Sequence, residues 1–346
     1  MKKQLKYQVV HYLKGHGLSS SKEVFEGIDG FVGYATVKRA LGSMVAEGWV
    51  DTYGNGKSTR YQLKPGFDIW VEVDLEQYFE TDALERNIIG HYNFDLLEHL
   101  RDNQHLFTTS ELLVMQNEQS KFIQQIQQLS RGQFQTEFER LAIDLSWKSS
   151  QIEGNTYSLL ETERLLVMQQ TASGKTKDEA VMLLNHKAAL DFIFEHIHYV
   201  QPLTVSAIED IHKLLTAELK VRPNIRNRRV GITGTKYVPL DNEFQILEAL
   251  QGMCDLVNGK SNVFEKALLV LLLISYIQPF DDGNKRTARI ISNAILMNHH
   301  HCPLSFRTVD PLDYKKAMLL FYEKNNVSAF KKIFMEQYAF AVKHYF

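Results

Sequence analysis

Within the nine residues from Asp281 to Arg289 stand two arginines, one lysine and two aspartates, in the order Asp281-Asp282-Gly283-Asn284-Lys285-Arg286-Thr287-Ala288-Arg289. Such a set suits a polyphosphate. Arg286 and Arg289 are three apart, so on a helix they emerge on one face. Asp282 is a hard carboxylate, able to hold Mg²⁺ against phosphate oxygens. Gly283 lets the backbone approach an anion with no side chain in the way. An apolar run, Ala267 to Ile277, leads in, and Ile290, Ile291, Ala294 and Ile295 lead out at helical spacing. The pattern predicts a buried helix, a tight polar loop and a second helix. The loop then lies at a helix N-terminus, where free N–H groups and the macrodipole favour an anion. A merely solvated turn would explain any one of these residues. It does not explain the whole set placed behind an apolar helix.

The stretch Gln278-Pro279-Phe280-Asp281-Asp282-Gly283-Asn284-Lys285-Arg286-Thr287-Ala288-Arg289 resembles the signature of the Fic family, HPFx(D/E)GNxRxxR, at every fixed position except the first. The resemblance implies a fold that binds ATP with Mg²⁺ and transfers AMP to a hydroxyl on a protein target, the chain itself included. By position it implies Asp282 as metal ligand, Gly283, Asn284 and Lys285 along the phosphates, and Arg286 and Arg289 on the β and γ groups. Phe280 is implied as an anchor beneath the loop. The family's general base is a histidine at the first position, where this chain has Gln278. An amide takes no proton near neutral pH, although it can orient a hydroxyl by hydrogen bonding. Nucleotide binding is therefore expected to survive and transfer to be weakened.

A second segment, Ser149-Ser150-Gln151-Ile152-Glu153-Gly154-Asn155, closes an apolar-periodic helix marked by Phe138, Leu141, Ala142, Leu145 and Trp147. A capping box, Ser158-Leu159-Leu160-Glu161, opens the next helix. Read alone, Glu153-Gly154 is an ordinary helix end. The segment also resembles the inhibitory motif of the same family, (S/T)xxxE(G/N), with Ser149, Glu153 and Gly154 in its places. The resemblance implies that Glu153 pairs with Arg289 and displaces the γ-phosphate, an autoinhibition in cis. The charge logic agrees: a carboxylate on an arginine made for phosphate competes for that arginine.

At 346 residues the chain is long enough for two domains and a sizeable core. Its formal net charge of -2 gives no global pull toward nucleic acid or membrane. Two cysteines, Cys254 and Cys302, are too few for a disulfide framework and fit a reducing compartment. The start, Met1-Lys2-Lys3-Gln4-Leu5-Lys6, lacks the apolar core of a secretory signal. The Ala267–Ile277 run is too short to cross a bilayer. A cytoplasmic protein with no membrane partner is expected.

Residues 1–64 carry ten Lys/Arg against five Asp/Glu, about +5. Helical patterns over Leu5–Lys14, after Ser19-Ser20-Ser21, and over Tyr34–Glu47 precede a hairpin of residues 49–53 and 58–63, with Asn55-Gly56 at its tip. This order resembles a winged helix-turn-helix, with Lys38 and Arg39 outward on the recognition helix and Lys57 and Arg60 on the wing. DNA binding through phosphates is one reading, and a protein-interaction module is the other. Residues 65–133 read as a helical connector with an amphipathic Gln-rich helix, and 134–346 as the Fic-like domain. Within it, Arg226 to Pro239 alternates around Thr233-Gly234-Thr235 and predicts a β-hairpin. By resemblance that hairpin is a flap that holds a target segment by strand addition. Ser173-Gly174-Lys175-Thr176 mimics a phosphate loop, but Gln169 stands where its first glycine belongs. His299-His300-His301-Cys302 is read as structural, since four adjacent side chains cannot converge on one ion.

The expected protein is mainly α: a winged helix-turn-helix followed by an all-α Fic-like domain with a short hairpin flap. Two functions stand side by side. One is an AMP transferase autoinhibited by Glu153 and weakened by Gln278. The other is a catalytically degenerate, ATP-sensing, DNA-binding regulator. A homo-oligomer is left open.

Overall fold

The computed structural model describes residues 2–28, 32–101 and 106–346, with backbone only for 2–4. Met1 of the N-terminal stretch and Asp29 of its charge balance lie outside the described residues. The chain divides into two compact units, Met1–Val71 with Glu98–Gln104, and Glu72–Leu97 with His105–Phe346.

In the first unit, α1 (Lys2–His16), β1 (Ser19–Ser20), α2 (Ser21–Gly27) and α3 (Tyr34–Ala46) precede β2 (Val50–Tyr53) and β3 (Arg60–Leu63). Ser20 and Glu23 close a reciprocal capping box that starts α2. On α3, Val37, Leu41 and Met44 are buried at helical spacing, leaving Lys38 and Arg39 outward. They join Leu5, Val9, Leu13, Val24, Val50 and Phe67 in one core. The expected hairpin forms, with Val50 opposite Leu63 and Tyr53 opposite Arg60. Gly54 and Gly56 take the positive φ that its tip needs. The sequence pattern did not reveal β1, whose two residues pair with β3 and complete a sheet of order β1-β3-β2.

The second unit holds α4 (Leu75–Glu80), α6 (Thr109–Ile126), α7 (Arg131–Ile152), α8 (Leu159–Met168) and α9 (Lys177–Glu195), with α5 (Leu96–Arg101) at the division. They are followed by α10 (Val205–Thr216), α11 (Glu243–Gly259), α12 (Val263–Ile277), α13 (Asn284–Asn298), α14 (Pro311–Lys324) and α15 (Ser328–Tyr345). Helix α12 is apolar on all sides and is the central element: every residue from Ala267 to Ile277 is buried. It packs along α13, and α11 and α14 also lie against it. The connector expected over 65–133 is not a unit of its own. Arg86 donates to both carboxylate oxygens of Glu323 on α14, at 2.9 Å each, and to the Gly234 carbonyl at 2.7 Å. Lys331 on α15 reaches Glu111 of α6 at 2.8 Å. Among the described residues no helix is long and apolar enough to cross a membrane.

The hairpin predicted over 226–239 does not form. Those residues run without ladder pairing, apart from a single bridge between Val238 and His91. Side chains hold this backbone in place of a partner strand. The Arg226 N–H donates to Pro279 O at 2.9 Å, and the Arg226 guanidinium donates to the carbonyls of Gln278, Arg228 and Leu240. Arg228 pairs with Asp281 at 2.8 Å. The alternation of side chains that suggested a hairpin belongs to an irregular strap, with a turn at Thr233-Gly234, clamped to the loop by Arg226 and Arg228.

Candidate functional site

Helix α12 ends on Gln278, whose left-handed conformation (φ 52°, ψ 58°) turns the chain into Pro279 and stops the helix. Phe280 is fully buried and stacks on His212 of α10, ring centroids 3.6 Å apart and 4° from parallel. Asn284 braces the loop from within. Its Oδ1 accepts from Phe280 N at 2.8 Å, while its Nδ2 donates to Phe280 O at 2.8 Å and to Gln278 Oε1 at 3.0 Å. Gln278 in turn donates from Nε2 to Ser275 O at 2.6 Å. Both ends of the Gln278 amide are therefore engaged in holding the loop. Gly283 opens α13 at φ 84°, a left-handed conformation that disfavours any side chain, although a Cβ there would meet His212 and Thr216 only at ordinary contact distance, 3.4 Å.

The chain's own carboxylates sit where an anion would. Asp282 accepts from Gly283 N at 2.6 Å and from Arg286 Nη2 at 3.1 Å. Glu153, capping the C-terminus of α7, accepts from Arg289 Nη2 at 2.9 Å and from Lys285 at 2.8 Å. Arg289 also donates from Nε to Ser149 Oγ at 2.8 Å and from Nη2 to Ser149 O at 3.0 Å. The same Ser149 hydroxyl meets His186 Nε2 at 2.7 Å. Burial and the two guanidinium groups push the His186 pKa well below its ordinary value, so that ring is neutral. Arg286 is 1 % exposed, yet its Nε and Nη1 have no hydrogen-bond partner. Donors of a buried cation left without acceptors are the condition a bound oxyanion would relieve. The residues therefore fit a phosphate group.

Around this cluster lies a cavity of about 580 Å³, within the range for a small-molecule site. Glu153, Gln278, Asp282 and Lys285 line its polar end, and Ile232, Leu312, Met318 and Leu319 line it with apolar groups. An anionic head and an apolar body are the occupants such a cavity accepts.

The sequence placed Asn284 and Lys285 along phosphates; the structure puts Asn284 on the loop backbone and Lys285 on Glu153. Phe280, Gly283, Arg286 and Arg289 come together with Ser149 and Glu153. His186, His212 and Arg226 were missed. The available signal was a histidine on each apolar helical stripe, His186 near Leu183 and Leu190, and His212 near Ile208, Ile211 and Leu215.

Burial pushes the Glu153 carboxyl up, but Arg289 and Lys285 outweigh it and hold the pKa down to about 2, from 4.5. A depressed carboxylate stabilises the fold above its ordinary pKa and loses that contribution as pH falls toward the depressed one. The Glu153 contact is thus expected to be fully present above about pH 4.5 and to weaken between there and about pH 2. Comparing the urea midpoints of the native protein and Glu153→Gln should give a difference that is constant from pH 6 to 8 and shrinks at pH 3. A constant difference down to pH 3 would contradict the pairing.

Residues 202–296 match the Fic/DOC family model. The chain is 29 % identical over 173 residues to Protein adenylyltransferase Fic of Nematostella vectensis, covering 49 % of this chain and 40 % of that protein. It is 30 % identical over 163 residues to Protein adenylyltransferase fic-1 of Caenorhabditis briggsae, covering 44 % of this chain and 31 % of that one. The chain thus spans two fifths or less of the length of these relatives. In fold it resembles a Fic-1 structure from C. elegans, with a TM-score of 0.57 and 19 % identity over 68 % of this chain and 71 % of that chain.

Proposed function

We propose, from the match of residues 202–296 to the Fic/DOC family model, that the protein transfers AMP from ATP to a protein hydroxyl and is held inactive by Glu153. The observation that carries this reading is the seating of Glu153 on Arg289 and Lys285 at the polar end of the cavity. A terminal phosphate would have to take both cations from it. Arg286 then meets the polyphosphate with donors that already lack acceptors, and Gly283 N–H faces it from the helix N-terminus once Asp282 turns away. Asp282 would hold Mg²⁺ together with phosphate oxygens, and the ion would supply charge neutralisation on the polyphosphate.

In the transfer itself, the target oxygen bonds to the α-phosphorus, pyrophosphate leaves, and the hydroxyl proton must go elsewhere. Gln278 cannot take that proton, and its amide is already committed to Ser275 and Asn284. Turnover is therefore slow even without Glu153. The strap of residues 226–239, clamped by Arg226 and left without a partner strand, is the segment where a target could dock by strand addition. The direct test is transfer of label from α-labelled ATP by Glu153→Gly. Label on protein supports transfer. Failure of that variant to bind ATP would refute the nucleotide site.

A second reading is favoured by the engaged amide of Gln278 and by the N-terminal unit: an ATP-sensing regulator that binds DNA and does little chemistry. In that reading α1 to β3 work as a winged helix, with Lys38, Arg39, Lys57 and Arg60 exposed on α3 and the hairpin. Arg60 lies 3.8 Å from Glu23, so its charge is partly answered within the unit. Replacing Lys38 and Arg39 by Ala should lower affinity for duplex DNA and reduce the salt dependence by about one unit of slope for each phosphate no longer neutralised. Unchanged binding at all salt concentrations would favour a protein-interaction module.

A further inference from the structure

His212 of α10 is fully buried against the loop. Its Nε2 is 2.9 Å from Asp282 O and its Nδ1 is 3.1 Å from Pro223 O. Its ring lies flat on Phe280. One side chain thus touches the anion loop at two places and the chain that leads into the 226–239 strap at a third. A carbonyl oxygen only accepts, so the contact to Asp282 O makes Nε2 the donor in that bond.

A peptide group is planar and trans, so its C=O and N–H point in opposite directions. Drawing Asp282 O toward His212 turns Gly283 N–H the other way, onto the cavity side, where Gly283 is part of the wall. There the N–H is answered by the Asp282 carboxylate, the group that a phosphate would replace. We infer that His212 is a positioning residue for the polyphosphate: by donating Nε2–H to Asp282 O it fixes the plane of the 282–283 peptide and aims Gly283 N–H at the anion. This rests on the nucleotide reading above and adds to it a residue outside the loop and outside both motifs. No other side chain in the described structure hydrogen-bonds Asp282 O. Phenylalanine at 212 would keep the stack and lose the donor, whereas glutamine could still reach the carbonyl with an N–H.

The inference separates phosphate from the rest of the nucleotide. In the full chain carrying Glu153→Gly, affinities for ATP and for adenosine are measured by calorimetry with His212, His212→Phe and His212→Gln, each checked by thermal melting. His212→Phe is expected to weaken ATP about tenfold, the order of one lost hydrogen bond to a charged ligand, and to leave adenosine within about twofold. His212→Gln is expected to recover most of the ATP affinity. Equal weakening of ATP and adenosine would mean a general structural role and would overturn the inference, as would an unchanged ATP affinity. Should His212→Phe fail to fold, His212→Asn, too short to reach Asp282 O, takes its place with the same expected loss. Absence of ATP binding with His212 intact would instead sink the nucleotide reading, and the inference with it.

Discussion

On a Glu153→Gly background, Gln278→His raises the rate of AMP transfer by about 10²–10⁴-fold, the usual contribution of a general base. The position is prepared for it. Residue 278 is held in a left-handed turn at the end of α12 and lines the cavity beside Asp282 and Gly283. A histidine there offers a nitrogen with an ordinary pKa near the operating pH, where an amide offers none. The substitution also removes the Gln278 bonds to Ser275 and Asn284. Asn284 still bridges Phe280 N and O, so the loop keeps its brace. The measurement is initial rate with α-labelled ATP at saturating nucleotide. Equal rates with and without the Gln278→His substitution would mean that proton removal does not limit this chain and that another group serves as base.

Glu153→Gly tightens ATP binding by about 10–100-fold, read by calorimetry on the full chain. The carboxylate makes one charge-assisted bond to Arg289 and one to Lys285, each worth roughly 1.5–3 kcal/mol before competition from a phosphate is counted. Incoming ATP must break both, and replaces them with bonds to its own oxygens. Only the difference appears in the affinity, which is why the expected gain is below the sum. Gly154 already takes φ 97° just past the end of α7, so glycine at 153 loosens a helix end and leaves the core alone. Arg289 remains anchored by Ser149 Oγ and O, and Ser149 by His186. The cation is therefore in place for phosphate when Glu153 is gone. An unchanged affinity would show that Glu153 does not guard the site.

Lys285 sharpens this result. It stands at a position that the family signature leaves open, and the structure shows it on the Glu153 carboxylate. Two carboxylates meet the cations here, Asp282 on Gly283 N–H and Arg286, and Glu153 on Lys285 and Arg289. On the proposed reading, both carboxylates give way to an entering polyphosphate.

Much of this site was legible along the chain because its logic is local. A 3.6-residue period places Arg286 and Arg289 on one face, an apolar run demands a buried helix, and a glycine before a helix marks an anion loop. Capping boxes at Ser20, Thr108, Ser130, Ser158 and Thr176 start their helices with residues three positions apart. The hairpin at 226–239 failed for the complementary reason. Alternation records which side chains face inward, but says nothing of whether a second strand lies alongside. Here an arginine, Arg226, supplies the hydrogen bonds a strand would have made.

By itself the sequence determined the helices, the loop between α12 and α13, and the identity of the cations and of the carboxylate set against them. Only the tertiary structure decided that Lys285 shares Glu153 with Arg289, that His186 holds Ser149, and that His212 lies beneath Asp282. Each of these joins residues more than thirty positions apart, on α7, α9, α10 and α13. Such pairings depend on how helices stack around α12, and that is set by the packing of whole apolar faces and not by spacing along any one of them.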